Sequence, residues 1–225
     1  MKKLLYLVIF AFLLSPLMGY SYEITPEQEK LLNEAWTAYN IGNYKKTLAI
    51  IQPMANDGNP RAQTMLGRCY ENGLGVAQDL AVAAQWFQLA AEQNYTEAQV
   101  LLAYCYETGA GVPKNPAEVM NLMTRAAEKG NPEAQFNLAI NYSQGLYGAP
   151  KNEQESFKWA SLAANQGYAQ AERFLGACYE FGFGTNADAT LSQEWYAKAA
   201  AKGLSRQGSI FNYSRTYTYP ETQAN

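Results

Sequence analysis

Three cysteines are the residues of this chain whose chemistry and spacing first suggest a function. Cys69, Cys105 and Cys178 lie 36 and 73 residues apart, and thiols can form a disulfide, bind a metal or attack a substrate. The sequence contains no histidine. A cysteine or serine nucleophile therefore lacks its usual general base, and metal sites that need imidazole are excluded.

Glutamates recur two residues after each cysteine, at Glu71, Glu107 and Glu180. Paired carboxylates can serve as general acid and base, but solvated positions near helix ends explain this recurrence more simply. No nucleophile stands beside a base at a recognisable spacing, and the motif Ser-x-x-Lys does not occur. We predict that the chain has no catalytic residue, no metal site and no cofactor, and that it is not an enzyme.

The elements that position these residues come from an internal repeat. One phrase occurs four times, beginning at Ala62, Ala98, Ala134 and Ala171, so that successive copies are 36, 36 and 37 residues apart. Within the first copy, Ala62, Leu66, Gly67 and Tyr70 fall on one face of a helix, which predicts a buried stripe. A glycine at mid-helix costs ~1 kcal/mol relative to alanine, so we expect a second helix to approach Gly67 closely.

A second sequence segment follows each copy of the first and predicts the second helix of the repeat. It begins at about Leu80 in the first copy, and the four predicted stops are Asn94, Gly130, Gly167 and Gly203. Trp86, Trp159 and Trp195 share one position, which Leu122 fills in the second copy, and this favours core packing over ligand recognition. Between the two helices we expect left-handed glycines at Gly73, Gly75, Gly109, Gly111, Gly182 and Gly184.

The two recurring segments closely resemble Sel1-like repeats. The resemblance rests on Ala-Gln, Leu-Gly, Tyr and Gly-x-Gly-Val in the first segment and on Trp-Phe and Ala-Ala in the second. Upstream, Leu31, Ala35, Tyr39 and Thr47 resemble a tetratricopeptide repeat, in which Pro53 should end or kink the second helix. The resemblance implies an all-α, right-handed α-solenoid of stacked helix-turn-helix repeats, with one tetratricopeptide-like unit and four Sel1-like repeats.

The chain divides into three predicted regions. Residues 1–21 form a signal peptide, residues 22–203 the solenoid, and residues 204–225 a degenerate cap and loose tail in which Phe211 occupies the position of Leu175. Within the solenoid the expected repeats are approximately residues 25–57, 58–93, 94–130, 131–167 and 168–203.

The predicted signal peptide carries Lys2 and Lys3 before an apolar run, with cleavage expected after Ser21. Its removal leaves 15 basic residues against 20 acidic ones, a net charge of −5, which argues against nucleic acid and anionic membrane surfaces as partners. We therefore expect a periplasmic or secreted protein with no membrane insertion after signal removal. Whether it is released, and its oligomeric state, stay open.

The three cysteines occupy one equivalent position of the repeat, so the nearest two should lie on adjacent helices ~8–10 Å apart. A disulfide requires Cα atoms ~4.4–6.8 Å apart. We predict that Cys69 and Cys105 are not bonded, that Cys178 lies farther away, and that all three are small packing residues, with a redox role a distant alternative.

A column opposite the buried stripe varies between copies and is the predicted partner-binding concave face. Its members are Met65, Arg68, Asn72, Leu101, Tyr104, Thr108, Asn137, Ile140, Gln144, Phe174 and Phe181. The alternative for Leu101, Ile140 and Phe174 is that they only pack between adjacent units.

The resemblance implies a non-enzymatic protein-protein interaction scaffold of the bacterial cell envelope. The expected partner is a protein or peptide of the envelope, or a host protein, bound on the concave face. The alternative function is a weak penicillin-binding or β-lactamase-like protein, as in cysteine-rich relatives of the family. Those relatives carry paired cysteines within their repeats, which this chain lacks.

Overall fold

The structure is a computed structural model that describes residues 24–206, and the regular elements of that segment are α-helices. The predicted signal peptide and the part of the predicted tail beyond Arg206 lie outside the described residues. The helices are α1 (Pro26–Asn40), α2 (Tyr44–Asn56), α3 (Pro60–Asn72), α4 (Leu80–Glu92), α5 (Thr96–Thr108), α6 (Pro116–Glu128), α7 (Pro132–Gln144), α8 (Glu153–Asn165), α9 (Ala169–Phe181) and α10 (Ala189–Ala201).

The chain forms two compact units that divide between Ala98 and Gln99, within α5. In the first unit α1 packs on α2, α2 on α3 and α3 on α4. In the second unit α6 packs on α7, α7 on α8, α8 on α9 and α9 on α10. These contacts join helices that follow one another in the chain, as in stacked helix-turn-helix repeats, and the fold class is an α-solenoid.

The odd-numbered helices are the first helices of the repeats, and the even-numbered helices are the second helices. Asparagine or aspartate caps many of their N-termini by accepting backbone hydrogen bonds, as Asn59 does from the Ala62 amide. The second helices α4, α6, α8 and α10 each end two residues before the stop predicted from the sequence.

The glycines between paired helices have the left-handed backbone that the sequence predicts, with φ between 67° and 80°. The expected close approach at Gly67 is also confirmed, because a Cβ atom there would lie 2.6 Å from Cε1 of Phe87 on α4. Gly176 has the same relation to Tyr196 on α10, at 2.8 Å. Glycine at this position therefore allows the two helices of a repeat to touch.

Pro53 does not end α2, which continues for three more residues to Asn56. The predicted end at Pro53 is therefore wrong, whereas the alternative, a kink at this residue, stays a prediction. Pro53 itself is exposed, whereas the next two residues, Met54 and Ala55, are buried in the core of the first unit. Proline removes one helical hydrogen bond, and burial of the following residues favours continuing the helix for that last turn.

Each unit has its own hydrophobic core. Leu32, Ile51 and Leu66 lie in the first core, where Trp86 packs against them as a partly buried side chain. Phe136 and Leu175 lie in the second core, with Trp159 and Trp195 packed at its edge. The three tryptophans thus contact core residues, as their shared position in the repeat predicts.

All three cysteines are buried, and none of them forms a disulfide. Burial raises the pKa of Cys69 to about 12, and burial is also the main reason that the pKa of Cys178 is raised to about 12. Such thiols are protonated at neutral pH and are poor nucleophiles. Their positions fit the predicted packing role.

Candidate functional site

A pocket of about 270 Å³ opens on the first unit, between the first helices of its repeats. It is lined by Trp36, Arg61, Thr64, Met65, Arg68, Tyr95 and Glu97. Trp36 comes from α1, and the next four residues come from α3. Tyr95 immediately precedes α5, and Glu97 lies in its first turn. Three consecutive repeats therefore contribute to one concavity.

Trp36 supplies an aromatic wall of the pocket. Its neighbour in α1, Ala35, is fully buried, whereas Trp36 points outward and is 41% exposed. The indole stacks on the ring of Tyr39, with ring centroids 5.6 Å apart and planes inclined by 2°. This stacking restricts the indole, so the Trp36 side chain would lose little further conformational entropy when a ligand packs on it.

Two arginines of α3 stand along the pocket, and both are held by side chains of other helices. Arg61 donates from Nη1 to Oε1 of Glu29 at 3.1 Å and from Nη2 to Oδ1 of Asn33 at 3.0 Å. Arg68 donates from Nη2 to Oε1 of Glu97 at 2.8 Å. Each guanidinium is thus fixed beside a carboxylate, and both signs of charge are presented at the pocket.

Glu97 also accepts a hydrogen bond from the hydroxyl of Tyr95, at 3.2 Å from Oε2. Burial, and after it the charge of Glu97, raises the pKa of Tyr95 to about 12, so the phenol stays a donor at neutral pH. Thr64 donates its hydroxyl to the Pro60 carbonyl at 2.7 Å, and Met65 is only 4% exposed. The lining of the pocket therefore combines the thioether of Met65 and the aromatic ring of Trp36 with polar groups that are held in place by hydrogen bonds.

The structure brings two residues of the predicted binding column, Met65 and Arg68, into this pocket. Asn72, one turn further along α3, is partly buried and donates from Nδ2 to the Arg68 carbonyl at 2.9 Å. The sequence analysis missed the other five lining residues. Trp36 carried a usable signal, because it is the one tryptophan outside the position shared by the other three.

In the second unit, Tyr104 lies at the position equivalent to Arg68 and has an equivalent partner. Its hydroxyl donates to Oε1 of Glu133 at 2.9 Å and accepts from Nδ2 of Asn137 at 2.9 Å. Glu133 is 36 residues after Glu97. The same two repeat positions thus form a pair in each unit. The guanidinium of Arg68 binds the carboxylate of Glu97 in the first unit, and the phenol of Tyr104 binds the carboxylate of Glu133 in the second.

The remaining members of the predicted column differ in exposure. Thr108, Gln144 and Phe181 are exposed. Five members are buried, namely Met65, Leu101, Asn137, Ile140 and Phe174. Their burial favours the packing alternative for the side chains concerned, whereas the binding role of the column as a whole stays a prediction.

The described residues 24–206 lack two other kinds of site. Within them, no cluster of three cysteine, aspartate or glutamate side chains is placed to hold a metal ion. No helix of the same segment has the length and apolar character needed to cross a membrane.

Solved structures share this fold with appreciable sequence identity. A protective antigen of uropathogenic Escherichia coli strains that displays an SLR fold is 38% identical, with a TM-score of 0.66, over 70% of this chain and 33% of that protein. A Sel1 repeat protein from Oxalobacter formigenes is 30% identical, with a TM-score of 0.68, over 77% of this chain and 71% of that one.

Curated relatives include chitin synthase regulatory factor 3 of Schizosaccharomyces pombe, 34% identical over 148 residues, and the chitin synthase regulator SKT5 of Malassezia restricta, 28% identical over 203 residues. The matches cover 65% and 86% of this chain but only 12% of each relative. The Sel1 repeat itself matches residues 60–95, 96–131, 132–168 and 169–204. With four such repeats over more than half of its length, the chain belongs to the Sel1 repeat family.

Proposed function

We propose that this protein is an exported, non-enzymatic scaffold of the bacterial cell envelope that binds a protein or peptide partner in the pocket of its first unit. Sel1 repeats are typical of protein-interaction scaffolds. The observation that carries the proposal is the stacked, exposed indole of Trp36 above a pocket of about 270 Å³. Exposed aromatic and arginine side chains are the types that dominate interface energetics.

The chemistry of the pocket favours a segment of polypeptide as the occupant. An apolar side chain of the partner would pack against Trp36 and Met65, and groups beside it would meet Arg61 and Glu97. Because each arginine is already paired with a carboxylate, the pocket has no strong net charge. It therefore suits a segment with both donors and acceptors better than a polyanion.

The relatives support a role in acting on other proteins. Two fungal relatives are named as regulators of chitin synthase, and the Escherichia coli neighbour is named as a protective antigen. For the present chain, the proposed partner is an envelope protein that it controls or a host protein that it contacts.

Site-specific crosslinking in cells tests the pocket. A photoreactive amino acid replaces Trp36 in one strain and Leu162 in another, because the two side chains are 41% and 42% exposed. We expect a discrete protein adduct from position 36 that position 162 does not form. The same adducts from both positions, or none from position 36, would contradict the proposed site.

The affinity of the captured partner gives a second measurement. Trp36→Ala should weaken binding about thirtyfold, the effect of losing a hot-spot contact worth ~2 kcal/mol. Leu162→Ala, the control, should change the dissociation constant less than twofold if the partner does not touch that surface.

Export and the absence of catalysis are tested separately. Full-length protein expressed in a Gram-negative bacterium should appear in the periplasm or medium with Tyr22 as its first residue. Retention of Lys2 and Lys3 on cytoplasmic protein would contradict export. Hydrolysis of a chromogenic β-lactam by the mature chain would contradict the non-enzymatic part of the proposal.

A further inference from the structure

The pocket of the first unit has the size of a site for one side chain. Its volume of about 270 Å³ is below the ~300–1,000 Å³ that is usual for sites that enclose a small molecule or a cofactor. Two of its lining residues, Thr64 and Met65, are only 2% and 4% exposed. We therefore expect a single side chain of the partner to fill the pocket.

The hydroxyl groups of the lining already have hydrogen-bond partners. Thr64 donates to the Pro60 carbonyl at 2.7 Å, and Tyr95 donates to Oε2 of Glu97 at 3.2 Å. An apolar side chain would displace water from the pocket without leaving either hydroxyl unpaired, so it would avoid the cost of an unsatisfied buried donor. The pocket therefore does not require a polar group from the partner.

Charges of both signs lie around the pocket. Nη1 of Arg61 is 3.1 Å from Oε1 of Glu29, and Nη2 of Arg68 is 2.8 Å from Oε1 of Glu97. A cationic side chain would come close to the guanidinium groups, and an anionic one would come close to the carboxylates. Either would also lose part of its hydration on entry. A neutral side chain avoids both costs.

A series of aromatic rings in α1 and α2 distinguishes between neutral side chains. Tyr44 meets Tyr39 edge to face with ring centroids 5.8 Å apart, and Tyr39 stacks on Trp36 at 5.6 Å. Trp36 is 41% exposed and lines the pocket, so the series ends at the site. Aromatic pairs are favoured beyond the area that they bury, and the thioether of Met65 also favours contact with a ring.

We infer that the pocket binds an aromatic side chain of the partner, which stacks on the indole of Trp36. The inference rests on the proposed function, because it names the class of residue that anchors the partner. It goes further by placing aromatic side chains above aliphatic and charged ones of similar size.

Blocked amino acids test the inference on the purified protein. The four tryptophans give separate indole N–H signals in heteronuclear NMR spectra, and the variant Trp36→Phe identifies the signal of Trp36. N-acetyl-phenylalaninamide and N-acetyl-leucinamide are matched probes, since both are neutral and apolar. Titration of the Trp36 signal should show the phenylalanine probe binding about fivefold more tightly, because only its ring can stack. The corresponding arginine and glutamic acid probes should both bind more weakly than the phenylalanine probe.

Two variants at the same position separate stacking from simple burial. Trp36→Phe keeps a ring and should retain most of the preference for the phenylalanine probe. Trp36→Leu keeps an apolar side chain without a ring, so the phenylalanine and leucine probes should bind within about twofold of each other. Equilibrium dialysis measures these affinities without the indole signal. Because Trp36 is partly exposed, we expect both variants to fold.

Three results would overturn the inference. Equal affinities for the phenylalanine and leucine probes would leave a peptide site without aromatic selectivity. Tighter binding of the arginine or the glutamic acid probe would show that the anchor is charged. A Trp36 signal that no probe moves would remove the anchor altogether, whereas crosslinking from position 36 decides the proposed function separately.

Discussion

At the scale of single residues, Gly67 is an example of contact overriding helix propensity. Its hydrogen faces the ring of Phe87, which is fully buried, and an added Cβ would lie 2.6 Å from that ring. Alanine is the better helix former by ~1 kcal/mol, but an overpacked core costs ~1–3 kcal/mol. Because Phe87 has no room to move away, the cost of the collision should exceed the gain in helix propensity.

We therefore predict that Gly67→Ala lowers the free energy of unfolding, by up to about 2 kcal/mol. Gly176→Ala should cost less, because the ring it meets belongs to Tyr196, which is only half-buried and can shift. Denaturant titration of the two variants measures both values. An equal or larger loss for Gly176→Ala would contradict the argument from burial.

The buried thiols lead to a prediction about alkaline pH. The pKa values of Cys69 and Cys178 are raised from 9.0 to about 12, so between these values the unfolded chain loses thiol protons that the folded chain retains. Stability is thus fully present below about pH 9 and falls as the pH rises towards 12.

Denaturant midpoints measured under reducing conditions at pH 8 and pH 10.5 should show this decrease. The double variant Cys69→Ala, Cys178→Ala should show a smaller decrease, from tyrosines such as Tyr95, whose pKa is raised from 10.0 to about 12. A midpoint that stays constant over this range in the parent chain would contradict the burial of the thiols.

At the scale of elements, a side-chain tie joins the end of the second helix to the first helix of the same repeat in three of the repeats. Gln93 donates from Nε2 to Oε1 of Gln63 at 2.9 Å, and Gln166 donates to Gln135 at 2.8 Å. In the last repeat the pair is charged, with Nζ of Lys202 at 2.6 Å from Oε1 of Glu172. The side chain of Glu172 is only 4% exposed, so Lys202 is its counter-charge at a position that is largely shielded from water.

We predict that Lys202→Ala lowers the free energy of unfolding by about 2 kcal/mol, because it leaves a buried carboxylate without its counter-charge. The value is below the ~3–5 kcal/mol for fully buried pairs, since the side chain of Lys202 is 41% exposed to water. Thermal or denaturant unfolding measures the loss.

The double variant Glu172→Gln, Lys202→Gln is the control, because it recreates the neutral pair found at Gln135 and Gln166. It should lie within about 1 kcal/mol of the parent chain. If the double variant is as unstable as Lys202→Ala, the tie depends on charge itself rather than on satisfied hydrogen bonds.

At the scale of the whole molecule, contacts between neighbouring helices predict that damage stays local. Leu32→Ala in the first core and Leu175→Ala in the second core each remove a side chain that is 0% or 1% exposed. Each should cost about 2–5 kcal/mol. In a chain of stacked repeats, that loss is felt first by the helices in contact with the altered residue.

Hydrogen exchange followed by mass spectrometry should therefore show the two variants with opposite patterns. Leu32→Ala should speed exchange most in α1–α3, and Leu175→Ala most in α8–α10. A uniform increase over residues 24–206 in both variants would mean that the described chain unfolds as one cooperative body.

Much of the fold follows from the sequence because helix periodicity is local. The recurrence of Ala62, Leu66 and Gly67 at a fixed spacing predicts the helix pairs and the close contact at Gly67. The left-handed turns are predicted by the glycines that recur after the first helix. The end of α2 was not predictable in the same way, since the cost of Pro53 was outweighed by burial of Met54 and Ala55 against other helices.

The site was less predictable than the fold. Opposite the buried stripe, the helical wheel placed Met65 and Arg68 on the same face as Leu101, Ile140 and Phe174, although these last three are buried. A wheel describes one helix by itself, whereas exposure depends on every helix that packs around it.

The sequence by itself determined the family, the helix pairs and the exclusion of histidine chemistry, because each depends on residue identity and short-range spacing. Only the tertiary structure decided that Trp36 is exposed, that Arg61 and Arg68 are held by carboxylates, and that these side chains share a pocket. The reason is that these side chains and their carboxylate partners come from three different repeats. The distances between them are set by how helices pack, and the linear pattern does not contain those distances.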